Sequence, residues 1–325
     1  MERNNITVSA PGKLMLLGEH AVVYGHPCLV TAVDQRMKAT VELVDSSTFE
    51  LEAPDVKVHN YKKSLPELGK GEIPKGAQFV EIAIKNFKEK YPFKDGVRVA
   101  TASEFSSQFG FGSSSASTVC VVKALSELTR KKLSNKELFD IAYKTVLDIQ
   151  GKGSGFDIAS AIWGGTLYFV TGGEKIEQLS VDNLPLVVGY SGIKADTVTL
   201  MDQVLRKAKE TPEVVENSYR EIHLLVEKVN VQLLKQNWKE LGELMNENQK
   251  LLNMLGVSIP KLDDMIAASI RAGAYGAKLS GAGGGDCMIA IVSPNKEQEV
   301  KKAIGSVGGT IIPVSPNAPG ARIEK

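Results

Sequence analysis

Residues 280–286 read Ser-Gly-Ala-Gly-Gly-Gly-Asp, and apolar runs flank them at 277–280 and 287–292. Two paired strands need only one or two special residues in the turn between them. Four glycines within 281–285 cost extra backbone entropy on folding, so a turn alone explains them poorly. Close approach of the backbone to a phosphate or nucleotide is the sharper reading. Any fold for this chain must accommodate a strand, this loop and a second strand.

A second glycine segment runs Phe109-Gly110-Phe111-Gly112-Ser113-Ser114-Ser115-Ala116 into an apolar-periodic stretch that predicts a helix from Ser114 to Arg130. Free N–H groups at a helix start attract anions, and adjacent serines offer hydroxyl donors and an oxygen ligand for magnesium. No Gly-Lys-Ser/Thr follows and a third glycine is missing, so this is neither a Walker A loop nor a dinucleotide fingerprint. The plainer alternative is a turn in which Ser113 or Ser114 caps the helix. Two further runs carry charge. Lys13 opens and Glu19-His20 close an otherwise apolar strand after Ala10-Pro11-Gly12. Gly151-Lys152-Gly153-Ser154-Gly155-Phe156-Asp157 delivers one carboxylate to a helix start, where Asp157 could serve simply as the cap.

Apolar runs at 6–10, 13–18, 28–33 and 37–44 predict strands, the first two split by a Pro11-Gly12 turn. Residues 53–75, lysine-rich and broken by Pro54, Pro66 and Pro74, read as an exposed excursion. Lys57, Lys62, Lys63, Lys70 and Lys75 there are solvated by default. A helix at 79–87, a strand at 97–102 and a capped helix from Ser134-Glu137 to about Ile149 follow. Strands are expected at 166–170, 186–189 and 311–314. From Thr211-Pro212 the chain reads as helical to about Leu255, and a further helix runs from Pro260 to Gly273. The expected organisation is two domains, 1–185 and 186–325.

Lys plus Arg number 39 and Asp plus Glu 38, a net charge of +1 that excludes a dominantly basic nucleic-acid binder. Cys28, Cys120 and Cys287 are odd in number and lie at no zinc spacing, which argues for a reducing compartment. No membrane-length apolar run and no leader pattern at Met-Glu-Arg-Asn-Asn are visible, so the expectation is a cytoplasmic protein. His26, His59 and His223 match no pattern and read as structural or exposed.

Taken together, Ala10-Pro11-Gly12-Lys13 through Gly18-Glu19-His20, Gly110 to Ser114, and Ser280 to Gly285 resemble the three ordered motifs of the GHMP small-molecule kinases. Three motifs in the right order over residues 10–286 are far more specific than any one. Within that family Gly18-Glu19-His20-Ala21-Val22-Val23-Tyr24-Gly25, Ser191-Gly192 through Thr197, and Asn248-Gln249 through Val257 are most similar to the mevalonate kinase branch. The resemblance implies an α+β fold: an N-terminal ribosomal-protein-like α/β domain, a ferredoxin-like C-terminal domain, and an active site between them. It implies transfer of phosphate from ATP, with Mg²⁺, to the primary hydroxyl of a mevalonate-like acceptor, and it admits a homodimer. No nucleic-acid or membrane partner is expected.

By the same resemblance Asp157 orients or deprotonates the acceptor hydroxyl and Lys13 lowers its pKa. Glu19, His20 and Thr197 contact the acceptor. Gly110, Gly112, Ser113, Ser114, Ser115, Gly281, Gly283 and Gly284 hold ATP, and Ser114 ligates the metal. Three departures stand out. Val146 occupies the place of a metal-binding glutamate eleven residues before Asp157, leaving Asp148 as the nearest carboxylate. Gly153 to Asp157 and Asp286 are more similar to phosphomevalonate kinases, which makes that activity the rival reading. A non-catalytic sensor would have no need of both Lys13 and Asp157.

Overall fold

The computed structural model describes residues 5–324; residues 1–4, on which the leader expectation partly rests, and residue 325 lie outside it. The first half builds strands β1 (Asn5–Leu17), β2 (Pro27–Val44), β3 (Thr48–Ala53), β4 (Val58–Ser64), β5 (Gly96–Ser103), β6 (Thr166–Val170) and β7 (Lys175–Leu179). Its helices are α1 (Gln78–Lys90), α2 (Ser113–Leu128), α3 (Asn135–Gln150) and α4 (Phe156–Trp163). The second half adds α5 (Thr197–Glu210), α6 (Pro212–Leu234), α7 (Trp238–Leu255), α8 (Pro260–Arg271) and α9 (Glu297–Ser306). Its strands are β8 (Leu186–Tyr190), β9 (Gly276–Ser280), β10 (Cys287–Ile291), β11 (Thr310–Ile311) and β12 (Arg322–Ile323).

Pro11-Gly12 is not a turn. β1 runs straight through it, and the register against β2 jumps there from Pro11 opposite Arg36 to Gly12 opposite Val33. The pair marks a bulge, where a proline without an N–H does least harm to the ladder. A Cβ on Gly12 would lie 3.2 Å from both Phe111 Cβ and Val33 Cγ2, so the bulge brings the strand close to the loop before α2.

The first sheet runs β12-β1-β2-β5-β3-β4, with β6 on β2 and β7 beyond it. The 53–75 stretch is only partly an excursion. It contributes edge strand β4, with Val58, Leu65 and Leu68 buried, and Lys63 reaches the buried Glu81 at 2.9 Å. The second sheet runs β11-β8-β10-β9, all antiparallel, with helices between β8 and β9 and again between β10 and β11. That order is the ferredoxin-like split unit expected from the family motifs. The expected boundary near 185 falls just before β8, while β12 returns to pair with β1.

The helical stretch differs from its sequence reading at both ends. It is broken at 235–237 into α6 and α7, and it is preceded by α5, which the sequence reading left out. α5 is polar, buries only Leu200 and Val204, and starts at Asp196, whose side chain accepts from Thr199 N–H. The capping box Ser134–Glu137 forms as expected. α6 and α7 tie the two halves together. Leu225, Val226, Val229, Leu241 and Met245 join the core of the first sheet, and Tyr219, Ile222, Leu252 and Leu255 join that of the second. Side-chain amides on α7 also cover the free edge of β9: Asn246 accepts from Ala277 N–H and Gln249 from Leu279 N–H, both at 3.0 Å. An open sheet edge is thereby paired without another strand.

Candidate active site

The loop ahead of α2 enters the helix through Gly112, at φ 78 in the left-handed region, with no side-chain cap. Neither Ser113 nor Ser114 is therefore the N-cap; both lie in the first helical turn. Ala116 N–H closes the first helical bond onto Gly112 O at 3.0 Å, so the preceding N–H groups have no partner within the helix. This leaves a concentrated donor site at the positive end of the helix dipole. Ser114 O accepts from Ser117 and Thr118 hydroxyls, while no hydrogen bond engages its own hydroxyl among the described residues.

Lys13 stands beside this loop. Its backbone N–H donates to Phe111 O at 3.0 Å and its Nζ to Gly110 O at 2.8 Å. The same Nζ lies 3.1 Å from Asp157 Oδ1, with the lysine side chain 10% and the aspartate 32% exposed. Asp157 sits in the first turn of α4 behind Gly155, so it is not the cap either, and its Oδ1 is buried against Lys13. A Cβ on Gly112 would fall 3.4 Å from both Asp157 Oδ1 and Lys13 Cε. The bulged strand, the glycine loop and α4 thus converge on one lysine–carboxylate pair.

The loop 151–155 that presents Asp157 is itself clamped. Tyr143 donates to Gly153 O at 2.8 Å, and Gly172 N–H donates to Ser154 O at 2.9 Å. Val146 packs underneath, in the core, where it would touch a Cβ on Gly153 at 3.2 Å. Asp148, expected as a metal ligand, is elsewhere. Its Oδ2 accepts from Lys144 at 2.6 Å and from Asn86 at 2.9 Å on the α1 side of α3. Two residues along a helix is about 200°, so it faces away from Val146 and the Asp157 loop. Burial pushes its pKa up, but the Lys144 and Asn86 hydrogen bonds outweigh that and hold it below the usual carboxylate value. It is an ion-paired structural carboxylate. Among the described residues no three His, Cys, Asp or Glu side chains cluster to hold a metal. The free Ser114 hydroxyl fits an ion carried mainly by phosphates and water.

Glu19 is fully buried, which the sequence reading of an acceptor contact did not anticipate. One oxygen pairs with Lys278 on β9, also fully buried, and the other accepts from Asn248 at 3.2 Å. Desolvation lowers the Lys278 pKa, opposed by the Glu19 charge. Lys278 and Asn248 were missed as partners; a lysine within an apolar strand was the available signal. His20, at φ 60, directs Nε2–H to Ala282 O at 2.8 Å in the second glycine loop. Burial lowers its pKa, outweighing the Ala282 bond and the Glu19 charge. It is held neutral. Ser280 adds a further tie, its hydroxyl accepting from Met15 N–H and donating to Met15 O.

The 281–285 loop is mostly packed on protein. A Cβ on Gly283 would meet Val257 O at 2.1 Å, one on Gly284 Leu200 Cδ1 at 2.7 Å, and one on Gly285 Ile193 O at 2.5 Å. Only around Gly281 is there open space. Thr197 is exposed at the first position of α5, two residues beyond Ala195, which is bonded to Asp286.

Comparison with known proteins identifies the family and the fold. Residues 78–165 match the GHMP kinases N terminal domain and residues 229–309 the GHMP kinases C terminal family. The chain is 37% identical over 331 residues to a mevalonate kinase of Pyrococcus abyssi, covering 98% of each. It is 30% identical to one of Saccharolobus solfataricus over 90% of this chain and 91% of that one. The crystal structure of the Methanococcus jannaschii mevalonate kinase superposes with a TM-score of 0.81 at 25% identity, covering all of both chains.

Proposed function

The chain belongs to the GHMP kinases, and from that premise we propose that it transfers the γ-phosphoryl group of ATP to the primary hydroxyl of mevalonate. Full-length relatives named mevalonate kinase carry the choice of acceptor. The observation that carries the chemistry is the Lys13–Asp157 pair at 3.1 Å, set against the open start of α2. Phosphoryl transfer requires positioning and charge neutralisation more than covalent chemistry. The unpaired N–H groups of Ser113, Ser114 and Ser115 bind the ATP phosphates, with Gly110 and Gly112 keeping the backbone free of side chains there. Gly281 lies open to the nucleotide, while Gly283 and Gly284 let the loop pack.

Asp157, whose Oδ1 is buried against Lys13 while the carboxylate as a whole stays partly exposed, orients the acceptor hydroxyl and takes its proton. Lys13 lowers that hydroxyl's pKa and stabilises charge gathering on the transferred group. Ser114 would hold the Mg²⁺ that neutralises the phosphates, the remaining ligands coming from ATP and water. His20 and Thr197 line the acceptor side, and Glu19 acts through Lys278 and Asn248 by fixing the strand end that carries His20. The free, buried thiols of Cys28, Cys120 and Cys287 suit a cytoplasmic enzyme.

The test offers the purified chain ATP with either mevalonate or its 5-phosphate, following ADP release and the phosphorylated product. Mevalonate should be preferred by at least ~10-fold in kcat/KM, a difference of about 1.4 kcal/mol. Preference for the 5-phosphate would transfer the assignment to phosphomevalonate kinase. Binding of ATP without release of ADP in the presence of either acceptor would make the protein a sensor.

A further inference from the structure

We propose that Asp286 is a positioning residue that fixes the acceptor-side loop 191–197 and thereby sets affinity for the acceptor. The proposal rests on reading Thr197 as an acceptor contact. Asp286 ends the glycine loop at φ 53, a left-handed conformation that few residues other than glycine adopt. Such an outlier persists only where its surroundings hold it. Here they do. Asp286 N–H donates to Ile193 O at 2.7 Å, and its carbonyl accepts from Ser191 N–H at 2.9 Å. Its Oδ1 accepts from Ala195 N–H at 2.9 Å, and Lys194 Nζ approaches the two carboxylate oxygens at 3.2 and 3.4 Å.

One residue therefore holds Ser191, Ile193, Lys194 and Ala195. The segment then passes directly into Asp196, the cap of α5, and Thr197. The other side of the carboxylate faces the nucleotide loop: a Cβ on Gly110 would lie 2.4 Å from Asp286 Oδ2. Gly110 is also the residue whose carbonyl receives Lys13 Nζ. Asp286 thus sets the distance between the acceptor loop and the phosphate loop without itself facing the reacting atoms. A buried backbone N–H left without its acceptor would release the loop, because an unpaired amide is costly only while it stays buried.

Asp286→Ala should raise the acceptor KM by at least ~10-fold while kcat and the ATP KM change by less than about threefold, the split expected when uniform acceptor binding is lost. Asp286→Asn keeps an oxygen for Ala195 N–H and should stay within about threefold of wild type. Hydrogen exchange over the peptide 191–197 supplies a readout independent of turnover. It should accelerate by at least ~10-fold in Asp286→Ala and remain protected in Asp286→Asn. If the alanine variant does not fold, Asp286→Gly, which accepts the positive φ, takes its place. Unchanged acceptor KM with a lowered melting temperature, or unchanged exchange at 191–197, would overturn the proposal. Wild-type protein inert toward mevalonate would instead defeat the acceptor assignment, while the exchange comparison still decides whether Asp286 holds the loop.

Discussion

The loop ahead of α2 and the loop between β9 and β10 are both rich in glycine, and they use the absent side chain differently. At Gly112 the missing Cβ leaves room beside Lys13, Asp157 and the start of a helix, while at Gly110 it admits the Asp286 carboxylate. At 283–285 they let the chain lie directly on Val257, Leu200 and Ile193. The first loop leaves donors unpaired; the second uses its backbone to tie β9 to the segment after α7, with Gly284 N–H donating to Val257 O at 2.8 Å. Density of glycine reports a close approach of the backbone. It does not report whether a ligand or another stretch of chain is what approaches.

The largest effect should come from the α4 carboxylate that faces the first loop. Asp157→Asn should lower turnover by at least ~10²-fold while leaving ATP binding and melting temperature nearly unchanged, as loss of a general base requires. A fall of less than about threefold would make Asp157 a structural helix residue. In the second loop the order reverses, with stability lost before chemistry. Gly283→Ala forces a Cβ to within 2.1 Å of a carbonyl oxygen at φ 83, and should destabilise by at least ~3 kcal/mol. Gly281→Ala, at φ 100 in open space, should cost only about 1 kcal/mol but raise the ATP KM. Denaturant midpoints and ATP titrations of the two variants would break the comparison if their ranks were exchanged.

A smaller effect concerns pH, through the His20 bond to Ala282 that links the two halves. The unfolded chain takes up the His20 proton near pH ~6.5, whereas burial lowers the folded value. The unfolded state therefore binds more protons as pH falls from 6.5, and stability is lost across that window down to the folded pKa. His20→Gln, which keeps an N–H for Ala282 O, should flatten that slope in urea unfolding between pH 7.5 and 5.5. Equal slopes in the two proteins would mean that His20 does not titrate differently on folding. The smallest effect should be that of Asp148→Asn. Because Lys144 and Asn86 already occupy its carboxylate, the Mg²⁺ activation curve should shift by less than about twofold. A large rise in required Mg²⁺ would return Asp148 to the metal.

Much of the site was legible because it is local. Gly110 to Ser115 form a helix entry within a few residues, and Asp157 follows its own glycine loop; spacing marks both segments, and the resemblance to the GHMP kinases supplies the roles expected of them. Lys13 could be singled out as a charge in an apolar strand, but its meeting with Asp157 joins residues far apart in the chain. The roles of Glu19 and Asp148 were not legible. Each is a carboxylate at a suggestive position, and each is taken by a lysine: Lys278 from a distant strand, Lys144 one helical turn away. α5 was missed although Leu200, Val204 and Ala208 recur at helical spacing; it is polar on average and buries only Leu200 and Val204.

The sequence by itself determined which segments could be strands and helices, where backbone could come close to something, and that three ordered motifs belong to one kinase family. Those properties follow from local sterics and from the alternation of apolar residues, which neighbours along the chain decide. Only the tertiary structure decided what each glycine approaches and which charges neutralise one another. A buried charge is paired according to what folds against it, and Glu19 with Lys278, Asp286 with Ala195, and Asp157 with Lys13 are settled by packing across more than ninety residues of chain.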